Sequence, residues 1–203
     1  MLILGLDSSA KAASCAVFDT DAHSIISYGG VNAKITHSET LMPLAESILK
    51  AAKLTLGDID AFAVTNGPGS FTGVRITASA VKGMAFALNT PVYAVSALHS
   101  LAYNLIGRDC IANCIMDARR GQFYNALFRV SGEKIERLTP DRAISAEELK
   151  TELQNYDNVI TVDEVNAVSV CLAALECTPI SAKELMPFYL RMPQAERERI
   201  EKL

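Results

Sequence analysis

Two stretches of this chain are built alike. Leu4-Gly5-Leu6-Asp7-Ser8-Ser9 and Cys114-Ile115-Met116-Asp117-Ala118-Arg119 are each a short apolar run that ends on aspartate and passes at once into small or polar residues. Runs this short read as sheet strands. In the first half, Leu2 to Leu6, Cys15 to Phe18 and Ser24 to Tyr28 are predicted strands, and the turn Asp19-Thr20-Asp21 makes them an antiparallel meander. From Ser38, apolar residues at Leu41, Leu44, Ala45, Ile48, Leu49 and Ala52 recur at three- and four-residue steps, which predicts an amphipathic helix. A strand (Phe62 to Thr65), a glycine-rich turn, a helix (about Thr72 to Leu88), a strand (Val92 to Val95) and a helix (Leu98 to Leu105) follow.

The second half restarts the pattern with shorter elements. Ile111 to Met116, Phe123 to Val130 and Lys134 to Leu138 read as strands. Ser145-Ala146-Glu147-Glu148 is a capping box that opens a helix, and Val159 to Val162 and Val165 to Leu175 complete the set. The prediction is an α/β fold of two lobes with duplicated strand-strand-strand-helix-strand-helix units. The first lobe is placed at 1–105 and a smaller one at 106–203, the final helix packing back on the first. Two such lobes, each presenting a carboxylate at a hairpin beside a cleft, resemble the actin, Hsp70 and sugar-kinase superfamily, with its actin-like, RNase H-like (ASKHA) fold. Asp7, Ser8, Ser9 and Asp117 are accordingly candidates for a vestigial nucleotide cleft. The plainer account is that both aspartates start turns, where aspartate is common.

The 203 residues are 50% hydrophobic and 21% charged, with 19 Lys and Arg against 23 Asp and Glu, a net charge of −4. This disfavours a basic, phosphate-tracking surface as the main business of the chain, and the apolar surplus points to an interface beyond the core. The start lacks a basic segment and reaches Asp7 early, against a secretory signal. No segment approaches the roughly 20 apolar residues of a membrane span, so a cytoplasmic location is expected. Five scattered cysteines read as buried free thiols.

Asn66-Gly67-Pro68-Gly69-Ser70-Phe71-Thr72-Gly73-Val74-Arg75 lies between a predicted strand and helix, a place where backbone N–H groups can face an anion. The phosphate motifs fail here, however. Gly73 is followed by Val74-Arg75 and not Lys-Ser/Thr, and the third glycine comes one residue too late for a dinucleotide loop. Backbone freedom at Gly67 and Gly69, with Ser70 or Thr72 capping the helix, is the simpler reading.

As a string, this segment resembles the signature of the TsaB (YeaZ) family. Other matches fall in order: the Leu4 to Ser9 run, His37-Ser38-Glu39 with Leu41 and Pro43, Met116-Asp117-Ala118-Arg119 with Tyr124, and Phe188-Tyr189-Leu190-Arg191. Members are commonly somewhat longer, and the shortening is placed in the second lobe. The resemblance implies a bacterial, noncatalytic accessory subunit needed for N6-threonylcarbamoyladenosine in tRNAs reading codons that start with A. It would support a catalytic TsaD-like subunit together with a TsaE-like ATPase, form a homodimer when alone, and reach tRNA only through the complex. The residues agree on one point: the H-x-x-x-H metal pair of a TsaD-type site cannot form, because Leu41 follows His37 by four and Tyr103 follows His99 by four. No catalytic residue, metal site or cofactor is assigned.

A noncatalytic subunit must offer surface. The helix after Gly73 is apolar or small nearly all round, so one face can cover a sheet while another meets a partner. Leu41, Ile48, Phe71, Arg75, Ser79, Lys82, Gly83 and Phe86 are the predicted partner-binding residues, within a four-helix interface that a homodimer and a TsaD heterodimer would share. Arg119, Arg120 and Gln122, with Arg108, are read as a modest polar cluster near the second hairpin, and the sign-alternating Gln194 to Lys202 as a short solvated helix. The competing enzyme reading is a small actin-fold ATPase or phosphotransferase using Asp7 and Asp117.

Overall fold

A computed structural model of the chain describes residues 1–32 and 36–191. In the first half, β1 (Leu2–Asp7), β2 (Ala13–Asp19) and β3 (Ser24–Val31) form the predicted antiparallel meander. After α1 (His37–Ala51), β4 (Ala61–Gly67) joins β1 in parallel. After α2 (Phe71–Leu88), β5 (Val92–Ser96) joins β4, and α3 (Ala97–Ala102) closes the half. The resulting sheet order is β3-β2-β1-β4-β5. The central strand β1 is covered on both faces, which is why Leu2 to Leu6 reads as a continuous apolar run and not an alternating one.

The second half contains β6 (Arg108–Asp117), β7 (Gln122–Gly132), β8 (Lys134–Arg137), β9 (Arg142–Ser145), α4 (Ala146–Leu153), β10 (Val159–Val162) and α5 (Ala167–Ala174). Its sheet runs β10-β6-β7-β8, with the unpredicted β9 also pairing β7. Read from the meander side, the path β8-β7-β6-β10 repeats the order β3-β2-β1-β4 of the first sheet, and the fifth strand is β9 beside β7 in place of β5 beside β4. The chain is thus a two-lobed actin-like α/β fold with a five-stranded sheet in each half. Arg108 pairs with Gly132 at the start of β6, whereas Arg119, Arg120 and Gln122 lie at or beyond its other end. A strand rises about 3.3 Å per residue, so Arg108 is far from that hairpin and the predicted cluster does not form.

The helices between the sheets are exchanged. α3, from the first half, lies on β6 and β7 as well as β4 and β5, while α5, from the second, lies across β1 and β2. One apolar cluster joins Ile3, Ala16 and Ala63 of the first sheet to Ala112, Cys114 and Phe128 of the second through Leu98, Leu101, Val170 and Cys171. Polar ties reinforce it: the Ala167 N–H donates to the buried Ser14 Oγ at 2.9 Å, Ser96 Oγ donates to Asp141 Oδ2 at 2.5 Å, and His99 lies 3.4 Å from Glu176. A second cluster fills the outer side of the first sheet beneath α1 and α2.

All five cysteines are free, four of them buried. Burial raises the thiol pKa of Cys15 and of Cys171 to about 12 each, so these groups pack as small apolar side chains. After α5 the chain returns to the first lobe. Ile180 bridges the edge strand at Val92, and Leu185 is fully buried in the outer cluster. Among the described residues, no helix is long and apolar enough to cross a membrane. The sign-alternating segment 194–202 lies outside the described residues.

Candidate functional site

Four segments meet where the lobes face each other: the β1–β2 hairpin, the 66–73 turn, the β6–β7 hairpin and the returning C-terminal strand of chain. Asp7 ends β1 with no exposed surface. Its Oδ1 accepts from the Ser9 N–H at 3.0 Å, from Ser9 Oγ at 2.6 Å and from Thr65 Oγ1 on β4. Its Oδ2 is buried with no hydrogen-bond partner among the described residues. Burial raises the Asp7 pKa above the ordinary carboxylate value, against the pull of those three donors and of nearby His37.

Ser8 and Ser9 are equally enclosed. Ser8 Oγ donates to the Gly73 carbonyl at 2.8 Å and bonds Thr77 Oγ1, and the Ser9 carbonyl accepts from the Ser70 N–H at 2.7 Å. The glycines of the 66–73 turn explain this closeness. A side-chain carbon on Gly73 would sit inside the Ser8 carbonyl oxygen, and one on Gly67 inside that of Phe188. Ser70 caps α2 by accepting from the Gly73 N–H at 3.2 Å. The turn therefore serves backbone-to-backbone packing, and its neighbours are protein groups.

Asp117 sits differently. It is exposed, and its Oδ1 accepts from the Arg119 N–H at 2.7 Å, a turn-starting contact within the hairpin. Arg119, Arg120 and Gly121 all take positive φ there. The lobes close over the turn: Met116 Cε lies 3.2 Å from where a Gly69 side-chain carbon would stand. The returning segment finishes the closure, with the Phe188 N–H donating to the Asn66 carbonyl at 2.6 Å and an Arg191 guanidinium N–H donating to the Ala118 carbonyl at 3.1 Å. Nothing in the sequence pattern marks this role for 188–191, because a chain crossing a turn by backbone hydrogen bonds leaves no periodicity.

The predicted partner-binding residues separate into two groups. Leu41 and Ile48 are buried at 1% and 7% exposure in the core under α1. The periodicity that suggested a usable face marks the face turned to the sheet, so these two side chains are covered within the chain and are not offered to a partner. On α2, Gly73, Val74, Thr77, Ala78, Val81, Met84 and Ala85 face inward. Arg75, Ser79, Gly83 and Phe86 are exposed, Phe86 by 69%, and Phe71 and Lys82 are half-buried. Arg75 is held in place, its guanidinium carbon 3.9 Å from the Phe71 ring centre and its Nε donating to Tyr189 Oη at 2.8 Å. Phe71 and Tyr189 pack with ring centres 4.9 Å apart. Tyr189 and Met186, which lies 3.8 Å from Lys82 Nζ, are members of this surface that sequence reasoning missed.

Fold and site together define a duplicated actin-like protein whose interlobe mouth is closed by its own hairpins. A family model described as TsaD: tRNA N6-adenosine threonylcarbamoyltransferase matches residues 15–159. Two proteins named tRNA threonylcarbamoyladenosine biosynthesis protein TsaB align with the chain. The one from Bacillus subtilis is 36% identical over 146 residues, 71% of this chain and 62% of that protein. The one from Haemophilus influenzae is 30% identical over 174 residues, 80% of this chain and 71% of that protein. A solved structure titled YeaZ from Pseudomonas aeruginosa superposes with a TM-score of 0.80 at 23% identity, covering 93% of this chain and 99% of that one, and carries the same fold. The chain belongs to the TsaB (YeaZ) family.

Proposed function

We propose that this chain is a noncatalytic scaffold for N6-threonylcarbamoyladenosine formation in tRNAs reading codons that start with A. It supports a TsaD-like catalytic subunit, works with a TsaE-like ATPase, self-associates when alone, and acts in the cytoplasm, with tRNA held by the assembly. The names of its relatives place them in this modification. The observation that carries the noncatalytic part is the closed mouth. Where an actin-like enzyme would need donors turned toward a ligand, the Ser8 and Ser9 hydroxyls bond within the chain, and Gly67 and Gly73 abut protein carbonyls. The exposed side of α2 supports the scaffold part, because it offers Phe86, Gly83 and a positioned Arg75 to a partner. Depleting the chain and measuring modified nucleosides in bulk tRNA by mass spectrometry tests the reading: threonylcarbamoyladenosine should fall sharply, and an unchanged level overturns it.

One observation favours the enzyme alternative. Among the described residues Asp7 Oδ2 is an acceptor without a donor, as a carboxylate awaiting a ligand would be. That reading requires micromolar ATP binding in calorimetry and hydrolysis abolished by Asp7→Ala; the scaffold reading expects neither.

A further inference from the structure

After Leu185 the returning chain changes character. Up to that point it is anchored in the first lobe: Ile180 exchanges both backbone hydrogen bonds with Val92 at the sheet edge, at 2.9 and 2.8 Å, and Leu185 is fully buried in the outer cluster. From 186 to 191 no residue is buried, and Met186, Phe188 and Tyr189 are exposed by 64%, 46% and 37%. This stretch crosses the 66–73 turn and ends on the other lobe. What holds it there lies at the surface: the Phe188 N–H on the Asn66 carbonyl, Tyr189 against the Phe71 ring and the Arg75 Nε, and Arg191 on the Ala118 carbonyl of the β6–β7 hairpin. Attachments that remove so little apolar area from water put a segment at the low end of local stability within a fold. The layer beneath is the opposite. There the Ser70 N–H donates to the Ser9 carbonyl at 2.7 Å, and Asp7 lies below with no exposed surface. The Phe188 carbonyl stands where a Gly67 side chain would be, so 186–191 is the outer cover of the turn.

We propose that 186–191 is a strap hinged at Leu185, which lifts off the 66–73 turn while both lobes stay folded, and that Tyr189 is its latch. The closed mouth is then one of two states of the chain. Lifting removes the Arg191 tie to the β6–β7 hairpin and lets water reach the Ser70–Ser9 backbone bond. Behind that bond lies the Asp7 oxygen that has no donor among the described residues. Tyr189 is the latch because its ring and hydroxyl meet side chains that already hold each other, the Arg75 guanidinium carbon standing 3.9 Å from the Phe71 ring centre. Phe188, in contrast, attaches to the turn through its backbone N–H, which any residue but proline supplies.

Hydrogen–deuterium exchange of the full chain, read by peptide mass spectrometry, tests this on the parent, Tyr189→Ala and Tyr189→Phe. In Tyr189→Ala the peptide over 66–73 should exchange at least about ten-fold faster than in the parent, while peptides from β2, β7 and α5 stay within about two-fold. Tyr189→Phe keeps a ring to pack on Phe71 and loses the bond to Arg75, so its rate over 66–73 should fall between the other two. An unchanged rate over 66–73 in Tyr189→Ala overturns the strap. Exchange that rises equally in β2, β7 and α5, or a Tyr189→Ala chain that does not fold, overturns it as well, because 186–191 would then belong to the global fold and not to a separately moving layer.

Discussion

The two aspartate hairpins began as the same pattern and ended in opposite states. In the first, Asp7, Ser8 and Ser9 are sealed beneath the 66–73 turn, every hydroxyl bonded within the chain. In the second, Asp117 is exposed and holds its own turn. What separates them is the partner each hairpin meets. The first meets the turn at Gly69 and Gly73, which have no side chain to hold the backbones apart, while the second ends in an exposed tip of Arg119, Arg120 and Gly121. A shared motif thus fixes a shared backbone, and burial then decides what the carboxylate does.

The largest effect should come from restoring a side chain in the first contact. Gly73→Ala forces a carbon into the Ser8 carbonyl and should cost about 3–5 kcal/mol in chemical denaturation, or prevent folding. Gly121→Ala, at φ 70° in open space on the second hairpin, should cost only about 1–2 kcal/mol. Equal costs would mean that the two hairpins are not differently enclosed. Next, Thr65→Val removes a buried donor from Asp7 with little change in shape and should cost about 1–3 kcal/mol.

A smaller effect separates the carboxylates by pH. Because burial raises the Asp7 pKa, the folded state holds that proton more tightly than the unfolded chain does. Its contribution is therefore full below the ordinary carboxylate pKa and is lost as pH rises through the folded value. Asp7→Asn cannot ionise, so the difference in unfolding free energy between variant and parent should grow in the variant's favour from about pH 4 upward. A difference flat with pH would show that Asp7 is not held as described. The smallest effect is expected at Asp117→Asn, which keeps the turn-starting oxygen in water and should change stability by about half a kcal/mol or less.

Much of the fold was legible because its elements obey simple periodicities. The alternation of strands and helices, the Ser145 capping box and the Asn89 helix stop all stand where the sequence places them. Residues whose role depends on a distant partner were harder. Leu41 and Ile48 have the spacing of a helix face, and spacing alone does not say which sheet or partner that face meets. The β9 strand is four residues long, below the length at which alternation can be read. At the candidate site, the glycine string was visible, but its purpose depends on Ser8 and Phe188, 65 residues before Gly73 and far beyond Gly67 respectively. The α2 surface was half legible: Arg75, Ser79, Gly83 and Phe86 are exposed as expected, whereas Tyr189 and Met186 reach it along a path without regular structure.

The exchange of α3 and α5 between the sheets limits how this architecture can be trimmed. Among the described residues the second lobe has no counterpart of β5 beside β10, and its ladder is intact without one. It cannot give up α5 in the same way, because Ala167, Val170, Cys171 and Ala174 seal the floor of the other lobe. Loss of sequence from the second half is therefore tolerable at its rim and intolerable at its last helix, and two fragments cut between the halves would each lack a wall that only the other can provide.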